Sequence, residues 1–203
     1  MPKATKMKLP SSIETALGAN NGMLSMRQLS ALGCSRTSAG RYVRAGLLER
    51  AGHGLYRRPS DLDDSLFALL FRNPALVASH GTALFLNGLA ESAPERWSVT
   101  SSHGREPPPS VRAACLCFYV KPERLDLGLC LRCTPFGNEV RCYDAERTVC
   151  DLVRSRRRLD EELVLAGLRN WGASPGRDPA RLARYARALG VFDRVKARVE
   201  VLL

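Results

Sequence analysis

The sequence lacks most of what enzyme active sites are built from. Histidine occurs three times in 203 residues, and His80, the one beside an apolar run, has no acidic or Cys partner at motif spacing, which favours a loop or capping role. There is no glycine-rich phosphate cradle and no nucleophile elbow. Neither catalysis nor a cofactor is expected. No apolar run approaches the roughly 18 residues that a membrane span requires, and the N-terminus lacks the apolar core of a signal peptide. The seven cysteines are an odd number in a chain long enough to bury a core without cross-links, which fits a reducing cytoplasm. A cytoplasmic protein with no membrane partner is the expectation. There is no internal repeat, and no biased tract longer than Pro107-Pro108-Pro109.

Two groups of residues invite a metal and have simpler explanations. Cys115-x-Cys117 and Cys130-x-x-Cys133, with twelve residues between the pairs, superficially resemble a zinc ribbon. Yet residues 115 and 117 share a face of any strand, and knuckle glycines are absent. Buried apolar thiols are the simpler reading, although spacing alone leaves zinc open. Asp144, Glu146 and Asp151 could suggest a nuclease site, but Glu146 and Asp151 fall on different faces of a helix. A helix cap at Asp144 and an i,i+4 pair between Arg147 and Asp151 account for them more economically.

What the chain has in abundance is positive charge. Its formal net charge is +11, pointing to a polyanionic partner, most often nucleic acid. The excess is uneven: residues 1–60 hold ten Lys/Arg against two acids, residues 61–120 four against six, and residues 121–203 seventeen against twelve. Within the first, most basic segment, Ser25 to Pro59 has the order of a winged helix-turn-helix. Ser25 caps a short helix carrying Met26, Leu29 and Leu32 on one face, and Gly33 ends it. Ser35 caps a second helix from Arg36 to about Ala45, with Gly46 as its stop. Ala39, Tyr42 and Val43 face inward, leaving Arg36, Thr37, Arg41 and Arg44 outward. Two short strands around Gly52-His53-Gly54 form a hairpin, the wing, closed by Pro59. A preceding helix through Ile13, Ala16 and Leu17, capped by Ser11 or Ser12, packs behind the pair. Residues 1–10, with Lys3, Lys6 and Lys8, read as a flexible basic arm.

Beyond residue 60 the character changes. Asp61, Asp63 and Asp64 open an apolar helix from Leu62 to Phe71, and a second follows Ser79-His80-Gly81-Thr82. Trp97 to Thr100, Val111 to Val120, Leu127 to Thr134 and Glu139 to Tyr143 read as strands of a small, mainly antiparallel sheet, with the proline tract as a stiff exposed loop. Helices then run from Asp144 to the C-terminus, Asp178-Pro179 being a cap followed by a first-turn proline. The expected fold class is α+β: a winged helix-turn-helix over 1–60, then a mixed domain over 61–203.

Several stretches resemble the AbiEi-type antitoxins of type IV toxin-antitoxin systems, which are transcriptional regulators of phage defence. These are Leu24-Ser25-x-x-Gln28-Leu29-x-x-Leu32-Gly33, Arg44-x-Gly46-Leu47-Leu48 and Gly52-x-Gly54-Leu55-Tyr56. Further on, Ser79-x-x-Thr82-Ala83-Leu84-x-x-x-Gly88-Leu89 and Asp144-x-Glu146-Arg147-Thr148-x-x-Asp151 complete the similarity. The resemblance implies a bacterial repressor that binds inverted repeats in its own promoter, and a C-terminal domain that counters a nucleotidyltransferase-like (AbiEii-type) toxin. It leaves direct contact with the toxin open.

On this reading Ser35, Arg36, Thr37, Ser38, Arg41 and Arg44 meet the major groove of double-stranded DNA, while His53, Arg57 and Arg58 grip phosphate or the minor groove. The alternative is a protein-interaction module whose winged domain does not read DNA. A metal-dependent nuclease through Asp144 and Glu146 is the weakest alternative.

Overall fold

The structure, a computed structural model, describes residues 7–20, 22–52, 54–60 and 64–202. It divides into two compact units, Met1–Ala68 and Leu69–Leu203.

The first unit runs α1 (Ser11–Ala19), β1 (Met23–Ser25), α2 (Met26–Ala31), α3 (Arg36–Arg44), β2 (Glu49–Gly52) and β3 (Leu55–Arg57). The strands form an antiparallel sheet in the order β1-β3-β2. Ile13 and Leu17 of α1, Leu29 of α2 and Ala39 of α3 close on Leu24, Leu48 and Tyr56 to make one core. Ser25 ends β1 and caps α2 through a reciprocal box: the Gln28 amide donates to Ser25 Oγ, and the Ser25 amide donates to Gln28 Oε1. Two details differ from expectation. Pro10, not Ser11 or Ser12, is the N-cap of α1, and no side chain caps that end. The third wing strand, β1, has three residues and merges into the cap of α2, so it leaves no alternation to read.

The helix α4 (Ser65–Arg72) crosses the division between the units. Asp64 is buried and accepts from the Phe67 amide at 2.9 Å, capping the helix. Lys3, Lys6, Asp61, Leu62 and Asp63 lie outside the described residues.

The second unit carries a five-stranded sheet in the order β6-β5-β4-β8-β7, built from β4 (Val77–Ala78), β5 (Ser98–Ser102), β6 (Leu116–Val120), β7 (Leu129–Cys133) and β8 (Glu139–Tyr143). The pairings β4–β5 and β7–β8 are antiparallel, while β4–β8 and β5–β6 are parallel. The parallel β5–β6 pair needs a crossover, and the proline tract begins it. Pro109 opens helix α6 (Pro109–Ala114), so residues 111–114, expected as strand, are helical. The central strand β4 has only two residues, too few for a periodic signal.

Helices α5 (His80–Leu86), α7 (Ala145–Ser155), α8 (Glu161–Ala173), α9 (Pro179–Leu189) and α10 (Phe192–Leu202) complete the unit. Its core joins Leu84, Val149, Leu152, Val153, Leu168, Trp171 and Leu189. Gly167 lets α8 approach closely: a Cβ there would stand 2.8 Å from Leu152 and 3.0 Å from Leu84. Among the described residues no helix is long and apolar enough to cross a membrane.

The acidic motif of α7 is spent on this architecture. Asp144 accepts from the Arg147 amide at 2.8 Å and from the Tyr185 hydroxyl at 3.1 Å. Glu146 accepts from Trp171 Nε1 and from the Asp178 amide. Arg147, fully buried, donates to Asp151 at 2.9 Å and to the Arg124 and Leu127 carbonyls, with its guanidinium 4.1 Å from the Tyr143 ring centroid. The cysteine pairs lie at opposite edges of the sheet, Cys117 on β6 and Cys130 with Cys133 on β7, so they do not converge on one ion. Burial pushes the thiols of Cys115, Cys117 and Cys130 up, disfavouring the thiolate a zinc ligand requires.

Candidate nucleic-acid interface

The first unit presents α3 as a capped, amphipathic helix. Ser35 Oγ accepts from the Ser38 amide at 3.1 Å and sits 3.1 Å from Ser38 Oγ, fixing the first turn. Ala39 is fully buried, and Tyr42 and Val43 are half-buried against the same core. The opposite face carries Arg36, Thr37, Arg41 and Arg44, all exposed.

Each cation on that face stays available. Arg41 Nη2 donates to Ser38 Oγ at 3.3 Å, and Arg44 Nε to the Gly40 carbonyl at 3.4 Å. These contacts orient the guanidiniums without neutralising them. Among the described residues none of Arg36, Arg41 and Arg44 has a carboxylate partner. Arg44 also lies in the last turn, where the helix dipole favours a cation. That accounts for one arginine of the stripe, not for Arg36 at the first position.

Beside α3 the wing adds a second cationic wall. Arg36, Arg50, Gly52, Gly54, Tyr56 and Met26 line a hollow of 210 Å³. Arg50, exposed on β2, was not among the residues expected to bind; strand alternation gives no signal for it, because Leu48 two residues before is buried. Arg57 is differently placed. It pairs across the hairpin with Glu49 and is half-buried, so it braces the wing. Arg58 is also half-buried, and His53 lies outside the described residues.

Gly40 was missed as well. It is half-buried, between Arg36 and Arg44 on the helix, and a Cβ built there would meet nothing within 4 Å. Nothing inside the protein requires glycine at that position, and glycine in a helix interior costs about 1 kcal/mol relative to alanine. The helical wheel holds the signal: the residue four after Arg36 and four before Arg44 lies beside both on the helix surface.

Residues 13–59 match the family described as transcriptional regulator, AbiEi antitoxin. Over that stretch the N-terminal module is similar to the AbiEi antitoxins. The match runs from α1 through the wing and includes every described residue of the arginine face. A solved structure is similar over a longer span. The crystal structure of the RV2827C protein from Mycobacterium tuberculosis aligns with 97% of this chain and 82% of its own, with a TM-score of 0.62 and 16% identity. At that identity the likeness establishes a shared α+β fold. A search of curated proteins finds no significant match.

Within this module, then, Ser35 caps the helix that carries Thr37, Ser38 and three unneutralised arginines, with Arg50 on the neighbouring strand. This is a surface of hydrogen-bond donors on a rigid support, the composition that phosphate oxygens and guanine edges accept.

Proposed function

We propose that the protein is a sequence-specific DNA-binding repressor of its own operon and the antitoxin of a type IV toxin-antitoxin system. In this reading α3 enters the major groove. Arg36, Thr37, Arg41 and Arg44 contact bases and phosphates, and Ser35 and Ser38 hold the helix start in register. Arg50 and the wing lie along the adjoining backbone, where contacts supply salt-dependent affinity rather than sequence discrimination. Arg57 supports the wing through Glu49, and Gly40 lets the helix backbone come close to the duplex.

The observation that carries the reading is the exposed, unneutralised Arg36–Arg41–Arg44 face inside a module similar to the AbiEi antitoxins. Inverted repeats in the promoter would seat two copies, and the toxin opposed would be nucleotidyltransferase-like, of the AbiEii type. The test is binding to the chain's own promoter DNA. Arg41→Ala is expected to weaken binding by about 1–3 kcal/mol if Arg41 makes a bidentate guanine contact. Binding unaltered by that substitution overturns the assignment of Arg41. Promoter activity that is the same with and without the protein overturns the repressor reading.

A further inference from the structure

The second unit carries a cationic cleft that the DNA reading does not use. Where α7 ends, the 3-10 turn Arg156–Arg158 follows directly. Together with Arg154, Ser155 and Arg194 it lines a cleft of 570 Å³, a volume in the range of small-ligand sites. Every lining side chain except the Ser155 hydroxyl is a guanidinium.

Local physics explains part of this cluster. Cations at the C-terminal end of α7 are favoured by the helix dipole, which accounts for some of Arg154 to Arg158. Arg194 has no such reason: it lies in the first turn of α10, where the dipole disfavours a positive charge. Neither its guanidinium nor that of Arg156 or Arg157 has an ion pair or hydrogen bond among the described residues. Like charges have therefore been brought together from two parts of the chain in a cleft with no acidic lining residue; Glu161, which shares an adjoining hollow with Arg156 and Arg157, is paired with Arg198.

The cleft is also held in shape. Arg154 Nη2 donates to the Tyr119 carbonyl and Arg158 Nη2 to the Cys117 carbonyl, both at 3.0 Å, and the Arg158 guanidinium lies 4.7 Å from the Phe118 ring centroid. Both arginines are thus fixed to β6 with donors to spare. Ser155 Oγ stands 3.0 Å from His80 Nε2, while His80 Nδ1 lies 3.0 Å from Ser79 Oγ. His80 is buried, stacked on Phe118 at 3.5 Å, and held at a φ of 48°. This left-handed backbone is strained for a residue with a Cβ, and such strain concentrates at functional positions.

We propose that this cleft binds a compact polyanion, the di- or triphosphate of a nucleotide, with Arg156, Arg157 and Arg194 closing on phosphate oxygens and the Ser155 hydroxyl hydrogen-bonding one of them. Guanidinium forks match phosphate geometry, and several on one concave surface suit a small, densely charged group. A duplex spreads its phosphates over a convex surface and suits an exposed helix face such as α3. The proposal stands independently of the DNA reading.

The test is isothermal titration calorimetry on the full chain at low salt with ATP, pyrophosphate, AMP and inorganic phosphate. ATP and pyrophosphate are expected to bind at least tenfold more tightly than AMP or phosphate, and to raise Tm beyond the effect of sodium chloride at equal ionic strength. The R156A/R157A/R194A variant, altered only at exposed side chains, should lose tenfold or more in ATP affinity and Ser155→Ala a smaller factor. R36A/R41A/R44A should retain ATP binding, which separates this cleft from the cationic face of α3. The proposal is overturned if ATP gives no binding signal, if the cleft variant binds ATP as the parent does, or if only a polynucleotide, offered as a duplex and as a single strand, binds in a manner sensitive to the cleft arginines.

Discussion

Gly40→Ala is the substitution that separates stability from function most cleanly. Position 40 is helical, at the centre of α3, and an added methyl meets nothing within 4 Å. There is no overlap to relieve and no left-handed backbone to strain. Alanine should therefore stabilise the protein by about 0.5–1 kcal/mol, from better helix propensity and a less flexible unfolded chain. The same methyl projects into the surface through which α3 would meet DNA. If the helix backbone approaches the duplex closely there, promoter affinity should fall tenfold or more, about 1.4 kcal/mol. Urea unfolding gives the first number and fluorescence anisotropy on promoter DNA the second. A protein stabilised as expected, with affinity unchanged within twofold, refutes the close approach. A destabilised protein refutes the open surroundings of Gly40.

Three further outcomes follow from buried groups. Burial lowers the pKa of His80 from 6.5 to about 4, so between those values the unfolded chain takes up a proton that the folded chain refuses. Stability should fall by about 3 kcal/mol in all as the pH drops through that window, with no contribution from His80 above it. In urea unfolding at pH 7 and pH 4.5, His80→Gln should lose much of the acid sensitivity, and an unchanged difference contradicts the assignment. Asp151→Asn leaves the buried Arg147 charge without its carboxylate and should cost about 3–5 kcal/mol, whereas a loss below 1 kcal/mol in the same assay would mean the pair is not buried as described. Gly128 has a φ of +74° and a Cβ there would stand 2.5 Å from Arg147 Cβ, so Gly128→Ala should destabilise markedly by thermal unfolding, and an unchanged Tm would count against this packing.

The winged module was largely legible because its signals are local. Ser25 with Gln28 and Ser35 with Ser38 mark helix starts within one turn, and the glycines around position 53 mark the hairpin. Asp144, Asp178-Pro179 and Gly190 likewise punctuate the C-terminal helices in sequence. The elements that stayed hidden depend on the rest of the chain. β1 and β4 are strands only because a partner lies beside them, and two or three residues carry no period. Residues 111–114 run into the strand-like stretch Leu116–Val120, but the proline at 109 starts a helix that the β5–β6 crossover needs. Among site residues, Arg57 looked like Arg50 in sequence, and the Glu49 carboxylate across the hairpin distinguishes them. The cleft at Arg154–Arg158 read as a basic run at a helix end, since Arg194 reaches it only through the fold.

The most direct measurement is anisotropy titration of the chain's own promoter fragment against a scrambled duplex of equal length, for the parent protein and for R36A/R41A/R44A. The account predicts preference for the promoter at physiological salt and its loss in the variant, while the variant's circular dichroism and Tm stay those of the parent. A folded variant that still prefers the promoter contradicts the account, as does a parent protein that binds both duplexes alike.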